Sequence, residues 1–269
     1  AVVEWNGQAA LSLRHLERVG LDPGGDVDEA PSPAHGSRAL DGWREIRLEG
    51  VCYRYPGSTA ARPTVGPIDL AFERGEMVFI VGGNGSGKST LLLLLSSLLT
   101  PEQGCVSIDG MAVNSDLRAY RNRFTGVFGD FFLFPHVLDA AGQPLSDARI
   151  EQLLDVLDLG EQVQTHDGEL SRLALSTGQR KRVALLQCYA EDRDIFFFDE
   201  WAADQDVHFR DYFYRSLLPA LKAAGKTVIA ISHDDRYFHL ADRVIALDLG
   251  QVVSDTRPAP VLLRSRTAI

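Results

Sequence analysis

Short apolar stretches recur along the chain from residue 45 onward, and most are too short for a helix. Alternating or uninterrupted hydrophobic positions of this length are typical of β-strands. The predicted strands cover residues 45–55, 68–72, 77–81, 105–108, 124–128, 195–198, 227–231 and 244–247. The stretch 195–198 (IFFF) is apolar throughout, which is typical of a parallel strand covered on both faces.

Between these strands lie stretches whose apolar residues have helical spacing. They predict a leucine-rich helix after residue 88 and helices over 147–159, 179–190 and 207–224. Strands that alternate with helices predict an α/β fold. Helical patterns dominate from about residue 130 to residue 190, and we expect this stretch to form an inserted helical subdomain.

The N-terminal residues differ from the rest in pattern and composition. Residues 9–19 have helical spacing, which fits either a surface helix of this domain or a helix that continues from a preceding domain. Residues 20–43 are rich in Pro, Gly, Asp and Ser and predict a flexible linker. The compact domain is therefore expected to start near Trp43 and is assigned residues 44–269.

Composition and charge narrow the class of protein. The 269 residues carry a formal net charge of -10, which argues against nucleic acid as the main partner. The three cysteines lie far apart without metal-binding spacing, which indicates reduced thiols in the cytosol. The apolar run 91–99 is only about half a membrane span, so it predicts a buried helix. Because the first residue is Ala1 rather than Met, we expect the chain to be a piece of a longer protein.

A glycine-rich loop joins the predicted strand 77–81 to the leucine-rich helix. The pattern G-x-x-x-x-G-K-S over residues 82–89 is a Walker A phosphate loop, in which glycines let backbone N–H groups surround a phosphate chain. The helix that follows points its positive end at the same anion. We expect Lys88 to reach the β- and γ-phosphates and the Ser89 hydroxyl to hold Mg²⁺. The residues predicted to bind the nucleotide here are Gly82, Gly83, Asn84, Gly85, Ser86, Gly87, Lys88, Ser89 and Thr90.

Two acids follow the apolar strand 195–198. An acid at the carboxyl end of a parallel strand lies beside the phosphate loop and forms a Walker B site. Asp199 is predicted to hold Mg²⁺ through water, and Glu200 is predicted to orient and polarise the attacking water.

Residues 175–179 read LSTGQ and precede a helix. Ser176 and Gln179 have the spacing of a capping box, and Thr177 and Gly178 complete a helix start suited to an anion. Eleven helical residues span about 16 Å and lead back to the Walker B strand, so this end is held away from the chain's own phosphate loop. We therefore expect residues 176–179 to contact a γ-phosphate bound by a second copy of the chain.

These motifs together resemble the nucleotide-binding domain of an ABC transporter over residues 44–255. LSTGQ matches the family's L-S-x-G-Q signature. The resemblance implies that His233 contacts the γ-phosphate and positions water with Glu200. It also implies that Asp206 ends the D-loop of the nucleotide site and that Tyr55 stacks on adenine, with Tyr53 as the competing assignment.

The resemblance also implies the fold and the assembly. The expected fold is a P-loop NTPase-type, mostly parallel sheet with an N-terminal antiparallel β subdomain and an inserted helical subdomain. The expected cofactors are ATP and Mg²⁺, and the expected partners are a second copy of the ATPase domain and a transmembrane domain. ATP would be sandwiched between the Walker motifs of one copy and the signature of the other.

Two departures from the family pattern refine this interpretation. Gly129 replaces the usual glutamine of the Q-loop, and Asp130 is a candidate to serve Mg²⁺ through water. Trp201 and Thr177 resemble the cyclic-peptide and siderophore exporter branch, in which the ATPase follows a six-helix membrane domain. Residues 1–19 would then be the tail of the last membrane helix. The domain would lie at the cytoplasmic face of the inner membrane and power export of a peptide or siderophore-like substrate.

Other classes of protein share part of these motifs. A soluble ABC ATPase acting on DNA or ribosomes is expected to carry long coiled-coil insertions or basic patches, which this sequence lacks. A regulatory nucleotide-binding module without turnover is expected to lack Glu200 or His233, and both are present. An ordinary P-loop kinase leaves LSTGQ unexplained. An import-type ATPase subunit is excluded less firmly, because it differs mainly in being a separate chain that begins near residue 44.

Overall fold

The computed structural model of the protein describes residues 42–57 and 64–258. The predicted helix within residues 1–19 and nearly all of the predicted linker 20–43 lie outside this range. Trp43, at the start of the described residues, is 1% exposed and belongs to the hydrophobic core, and the predicted domain boundary stays a prediction. None of the helices within the described ranges is long and apolar enough to cross a bilayer.

Strands and helices alternate along most of the described chain. The strands are β1 Glu45–Tyr53, β2 Val65–Glu73, β3 Met77–Val81, β4 Gln103–Ile108, β5 Met111–Ala112, β6 Phe124–Val127, β7 Thr165–His166, β8 Glu169–Leu170, β9 Ile195–Asp199, β10 Thr227–Ile231, β11 Arg243–Asp248 and β12 Gln251–Thr256. The α-helices are α1 Lys88–Leu95, α2 Leu117–Arg121, α3 Asp147–Val156, α4 Thr177–Glu191, α5 Val207–Tyr212 and α6 Leu218–Ala223. Short 3₁₀ turns cover Val113–Ser115, Trp201–Asp204 and Asp235–Leu240, and a π turn covers Phe213–Leu217.

Two sheets form the framework. The four-stranded sheet has the order β2-β1-β4-β5 and is antiparallel. The six-stranded sheet has the order β12-β11-β3-β10-β9-β6, with β12 antiparallel and the other five strands parallel. This arrangement confirms the predicted α/β fold with an antiparallel N-terminal sheet.

The register of the parallel strands brings three chain segments to one edge. Ile231 at the end of β10 lies opposite both Ile80 of β3 and Asp199 of β9. The residues that follow these three strands therefore emerge side by side at the carboxyl edge of the sheet. Ligands of open α/β sheets bind at this edge.

Each face of the six-stranded sheet contributes to a different hydrophobic cluster. One cluster joins alternate sheet residues to the antiparallel sheet and to four buried leucines of α1. The other joins the opposite face to α3, α4 and the helical segments after residue 207. Strand β9 serves both, because Ile195 and Phe197 lie in the first cluster and Phe196 and Phe198 lie in the second.

The predicted boundaries are wrong in several places. Residues 130–146 are not helical as expected; they contain the bridges His136–Glu169 and Leu138–Pro144. Prolines 135 and 144 lack the N–H that a helix interior needs, and buried Leu133 and Val137 anchor this stretch as a loop.

The predicted helix 207–224 is confirmed in extent, because α5, the π turn and α6 follow one another without a gap. The predicted helix 147–159 ends at Val156, and Asp158 has a left-handed φ of 54°. Strand β1 ends at Tyr53, so Tyr55 lies just outside it. The sequence analysis missed the short strands β5, β7 and β8 and the exposed edge strand β12.

Candidate functional site

The phosphate loop is built so that side chains are excluded at two of its glycines. Gly82 has φ +143°, and a Cβ there would lie 2.1 Å from the carbonyl oxygen of Leu247. Gly87 has φ +97°, and a Cβ there would lie 2.7 Å from Val65 Cγ2. Both conformations favour glycine. The motif spacing therefore reflects contacts with neighbouring strands as well as room for a ligand.

Lys88 lies over this loop. Its side chain is buried, and Nζ donates to the carbonyl oxygens of Gly82 at 3.1 Å and Gly83 at 2.9 Å. The nearest carboxylate oxygen, Glu200 Oε1, is 3.9 Å away. A buried ammonium that lies over the loop and has no carboxylate oxygen of the described residues closer than this fits an anionic ligand.

Ser86 is a second residue of the loop that fits an anionic ligand. Its residue is 3% exposed, and Oγ has no hydrogen-bond partner within the described part of the chain. Buried polar groups are normally hydrogen-bonded. The loop therefore fits the phosphate chain that its sequence predicts.

Asp199 and Ser89, the two predicted Mg²⁺ ligands, meet at the end of β9. Asp199 is buried, and burial raises the pKa of its carboxyl above the ordinary value. A hydrogen bond with Ser89 and the positive charges of Lys88 and Lys181 act in the opposite direction. Carboxylate and hydroxyl oxygens are hard ligands that suit Mg²⁺, so the donor set fits the predicted ion.

Glu200 and His233 lie together at the mouth of the site. His233 Nε2 is 2.8 Å from Glu200 Oε1, and both side chains are partly exposed. The backbone of Glu200 has φ 49° and ψ 33°, in the left-handed region that non-glycine residues seldom adopt. The structure thus brings the predicted water-positioning pair within hydrogen-bond distance.

Tyr55 and Tyr53, the two candidates for the adenine contact, have different surroundings. The ring of Tyr53 is buried in the core, whereas Tyr55 is half-buried and its hydroxyl is 3.1 Å from Thr90 Oγ1. The two rings meet edge to face, with centroids 5.1 Å apart. Tyr55 therefore lies beside the phosphate loop, which favours it over Tyr53.

The signature residues form the capping box that their spacing predicts. Gln179 N donates to Ser176 Oγ at 3.3 Å, and Ser176 N donates to Gln179 Oε1 at 3.1 Å. The helix start lies against the segment after β9. Gln205 Nε2 donates to the carbonyl oxygen of Gly178 at 3.1 Å, and a Cβ at Gly178 would lie 2.7 Å from Asp204 O. Helix α4 is longer than predicted, and Thr177 is its first residue.

Asp206 is engaged in a structural role in this conformation. Its side chain caps α5 by accepting from Phe209 N at 2.9 Å, and Arg182 Nη2 donates to it at 2.6 Å. The capping bond and the charge of Arg182 lower the pKa of Asp206. Arg182 also stacks over the Phe209 ring at 3.6 Å. A contact of Asp206 with nucleotide stays a prediction.

Gly129, which stands where the family has the glutamine of the Q-loop, faces Asp199 at the end of β9. Gly129 follows β6, and a Cβ added there would lie 4.0 Å from Asp199 Oδ2. Asp130 is exposed. The role of Asp130 at the metal stays a prediction.

Sequence analysis missed two residues that shape this site. Lys181 donates from Nζ to the carbonyl oxygen of Glu200 at 2.9 Å. Arg210 donates to three carbonyl oxygens of the turn after β9, those of Ala202, Ala203 and Gln205. The run of basic residues 180–182 was the available signal for Lys181, but such a run is usually a solvated helix face.

Comparisons with known proteins agree with this geometry. A family model described as ABC transporter matches residues 65–203. The ATP-binding protein SyrD of Pseudomonas syringae pv. syringae is 46% identical over 223 residues, which is 81% of this chain and 39% of SyrD. An ATP-dependent lipid A-core flippase of Burkholderia orbicola is 31% identical over 242 residues, which is 86% of this chain and 40% of the flippase.

A solved structure is similar as well. The dimeric, post-hydrolysis structure of the ATP-binding cassette MJ0796 bound to ADP and Pi has a TM-score of 0.67 and 26% identity. It matches 80% of this chain and 99% of the cassette. By contrast, the chain spans 39% and 40% of the lengths of the two curated relatives. The sequence motifs, the fold and these similarities show that the chain belongs to the ABC transporter family and has the family's ATPase fold.

Proposed function

We propose that the chain binds and hydrolyses ATP with Mg²⁺ and drives an exporter through dimerisation. The observation that carries this proposal is the meeting of five side chains at one edge of the parallel sheet. Lys88 and Ser89 come from the loop after β3, Asp199 and Glu200 from the end of β9, and His233 from the segment after β10.

Each side chain has a role in the proposed hydrolysis. Lys88 and the loop amides bind the phosphates. Ser89 and, through water, Asp199 hold Mg²⁺, which neutralises charge on the β- and γ-phosphates. Glu200 accepts a hydrogen bond from the attacking water, and His233 holds Glu200 and the γ-phosphate in place. The water oxygen bonds to the γ-phosphorus and its proton passes to Glu200 as the bond to the β-phosphate oxygen breaks, giving ADP and phosphate.

A head-to-tail dimer completes the proposed site. The side chains of Ser176 and Gln179 cap the helix start, and Gln205 donates to the carbonyl oxygen of Gly178. A capped helix start of this kind suits an anion. The solved cassette of similar fold is itself dimeric. We infer that the signature of one copy closes on the ATP held by the phosphate loop of the other.

The transport role rests on the relatives and on particular residues. Trp201 and Thr177 resemble the cyclic-peptide and siderophore exporter branch, and a curated relative is named a flippase. The rings of Phe132 and Phe134 are 42% and 60% exposed, three and five residues after Gly129. We propose that this surface meets a membrane domain fused upstream, that the site lies at the cytoplasmic face of the membrane, and that the cargo is peptide-like or siderophore-like.

Hydrolysis is tested with Glu200→Gln, which removes the charge and keeps the shape. The unsubstituted chain should hydrolyse ATP in a Mg²⁺-dependent manner, and the variant should be slower by about 10²- to 10⁴-fold while still binding ATP. Glu161→Gln, at an exposed position, is the matched control. An unchanged rate in Glu200→Gln would exclude Glu200 as the group that activates water.

The transport role has a separate test. The coding sequence upstream of Ala1 should contain about six apolar spans of roughly 20 residues each. A stop codon directly upstream would refute the fusion while leaving the proposed hydrolysis untouched.

A further inference from the structure

The turn after the catalytic strand is joined to the start of the signature helix by reciprocal hydrogen bonds. Lys181, in the first turns of α4, donates from Nζ to the carbonyl oxygen of Glu200 at 2.9 Å. Trp201 Nε1 donates back to the carbonyl oxygen of Lys181 at 2.9 Å. Because the two bonds run in opposite directions between the same two segments, neither segment can slide along the other without breaking one of them.

The two side chains that make these bonds are buried. Lys181 is 5% exposed, and its ammonium also lies 2.7 Å from Asp204 Oδ2. Trp201 is 1% exposed and stacks on Phe213, with ring centroids 4.4 Å apart. A buried ammonium is tolerated only when acceptors and a counter-charge surround it. The position of Lys181 is therefore tightly coupled to the turn after β9.

The residue that receives the ammonium bond has a backbone conformation that needs support. Glu200 has the left-handed φ of 49°, a conformation that persists in non-glycine residues only where the surroundings hold it. A hydrogen bond from a charged donor is stronger than one between neutral groups. Lys181 thus holds the carbonyl of Glu200 while the carboxylate of the same residue contacts His233.

We propose that Lys181 is a positioning residue, which fixes the catalytic carboxylate of Glu200 to the signature helix of the same chain. The proposal rests on the function and head-to-tail dimer proposed above. In that dimer Glu200 serves the nucleotide on its own phosphate loop, whereas the signature helix serves the partner's nucleotide. The bonds between Lys181 and Trp201 then link the two nucleotide sites through one chain, so displacement of the signature by one nucleotide moves Glu200 at the other.

The chain contains a matched control for this contact. Lys226 Nζ donates to the carbonyl oxygen of Asp192 at 2.9 Å and lies 2.8 Å from its carboxylate. Asp192 also has a left-handed φ, 46°, and it caps the opposite end of α4. Lys181→Met and Lys226→Met therefore remove the same kind of bond from a residue of the same conformation, near the nucleotide site in one case and remote from it in the other.

Steady-state ATP hydrolysis by the full 269-residue chain is the first measurement. Lys181→Met should lower kcat about 10- to 100-fold, as expected for the loss of a hydrogen bond from a charged group, with little change in KM. Lys226→Met should keep the kcat of the unsubstituted chain, although its melting temperature should fall. Lys181→Arg should recover part of the rate, because a guanidinium can donate to the same carbonyl.

A second variant and a second measurement are used if the first experiment cannot be carried out. If Lys181→Met does not fold, Trp201→Phe replaces it, since it keeps an aromatic ring and removes the indole N–H together with part of the bicyclic ring; kcat should fall about 3- to 10-fold, as for one neutral hydrogen bond. If the unsubstituted chain does not hydrolyse ATP, the proposed function fails, and amide hydrogen exchange over residues 200–205 decides the present inference. Faster exchange in Lys181→Met than in Lys226→Met supports it. Equal kcat in the two variants, or equal exchange, overturns it.

Discussion

Gly129 leaves space beside the acid proposed to hold Mg²⁺, and filling that space tests the metal site directly. A Cβ at Gly129 would have Asp199 Oδ2 at 4.0 Å as its nearest neighbour, which is ordinary contact. The φ of Gly129 lies outside the left-handed region, so a side chain introduces no backbone strain. Gly129→Gln therefore places an amide within reach of the ion that Asp199 is proposed to hold through water.

The size of the effect follows from the number of contacts added. One additional hydrogen bond to the hydrated ion contributes about 1 kcal/mol net, which corresponds to about fivefold in affinity. Gly129→Ala adds the Cβ without the amide and acts mainly on the unfolded chain, with a stabilisation of about 0.4–1 kcal/mol. We expect Gly129→Gln to lower the half-maximal Mg²⁺ concentration about fivefold and Gly129→Ala to leave it unchanged.

The assay is the ATPase rate titrated against free Mg²⁺ at a fixed ATP concentration. Asp130→Ala is measured alongside and should raise the half-maximal Mg²⁺ concentration, with a modest effect on ATP affinity because Lys88 and the loop amides dominate binding. Equal midpoints for Gly129→Gln and Gly129→Ala would refute the reasoning that position 129 faces the ion. An unchanged midpoint in Asp130→Ala would remove Asp130 from the metal site.

Three further predictions use other contacts. Gly82→Ala should cost at least about 2 kcal/mol of unfolding free energy, since a clash and a left-handed φ combine there; Gly83→Ala, whose Cβ meets no atom within 4 Å, should be nearly neutral in urea unfolding. Ser176→Arg should abolish the ATP-dependent dimer of the hydrolysis-deficient variant in light scattering without loss of ATP binding. The hydrogen bonds from Arg243 hold the pKa of Asp255 below its ordinary value, so their stabilisation should be present above the unfolded pKa and lost as the pH falls through the folded one. Asp255→Asn should therefore make the unfolding free energy depend less on pH in the acid range. An unchanged pH dependence there would contradict this assignment.

The sequence was most informative where function depends on residues next to one another in the chain. The loop at 82–89 and the acids after 195–198 each follow an apolar strand, and parallel strands place such residues at one edge. The pairing of Glu200 with His233 follows from the same rule. Local patterns therefore located the proposed site before any contact was known.

Features that depend on distant contacts were missed. Strand β12 is mostly exposed and has no strong hydrophobic alternation, so only its pairing with β11 reveals it. Residues 130–146 were predicted only as part of a mostly helical stretch from about 130 to 190, and in the structure Leu133 and Val137 of this loop pack into the core. The bond between Lys181 and Glu200 joins residues nineteen positions apart, and the basic run 180–182 does not by itself indicate this partner.

The position of β9 in both hydrophobic clusters affects how the molecule unfolds. Every side chain from Ile195 to Phe198 is packed, on alternating sides, against a different half of the interior. Neither hydrophobic cluster can unfold without exposing one face of β9 to solvent. The two clusters should therefore unfold as a single cooperative unit. The backbone amides of β9 should then exchange with solvent only through global unfolding. Asp199 at the end of this strand and Glu200 directly after it would then stay in place while the segments around the proposed nucleotide site move.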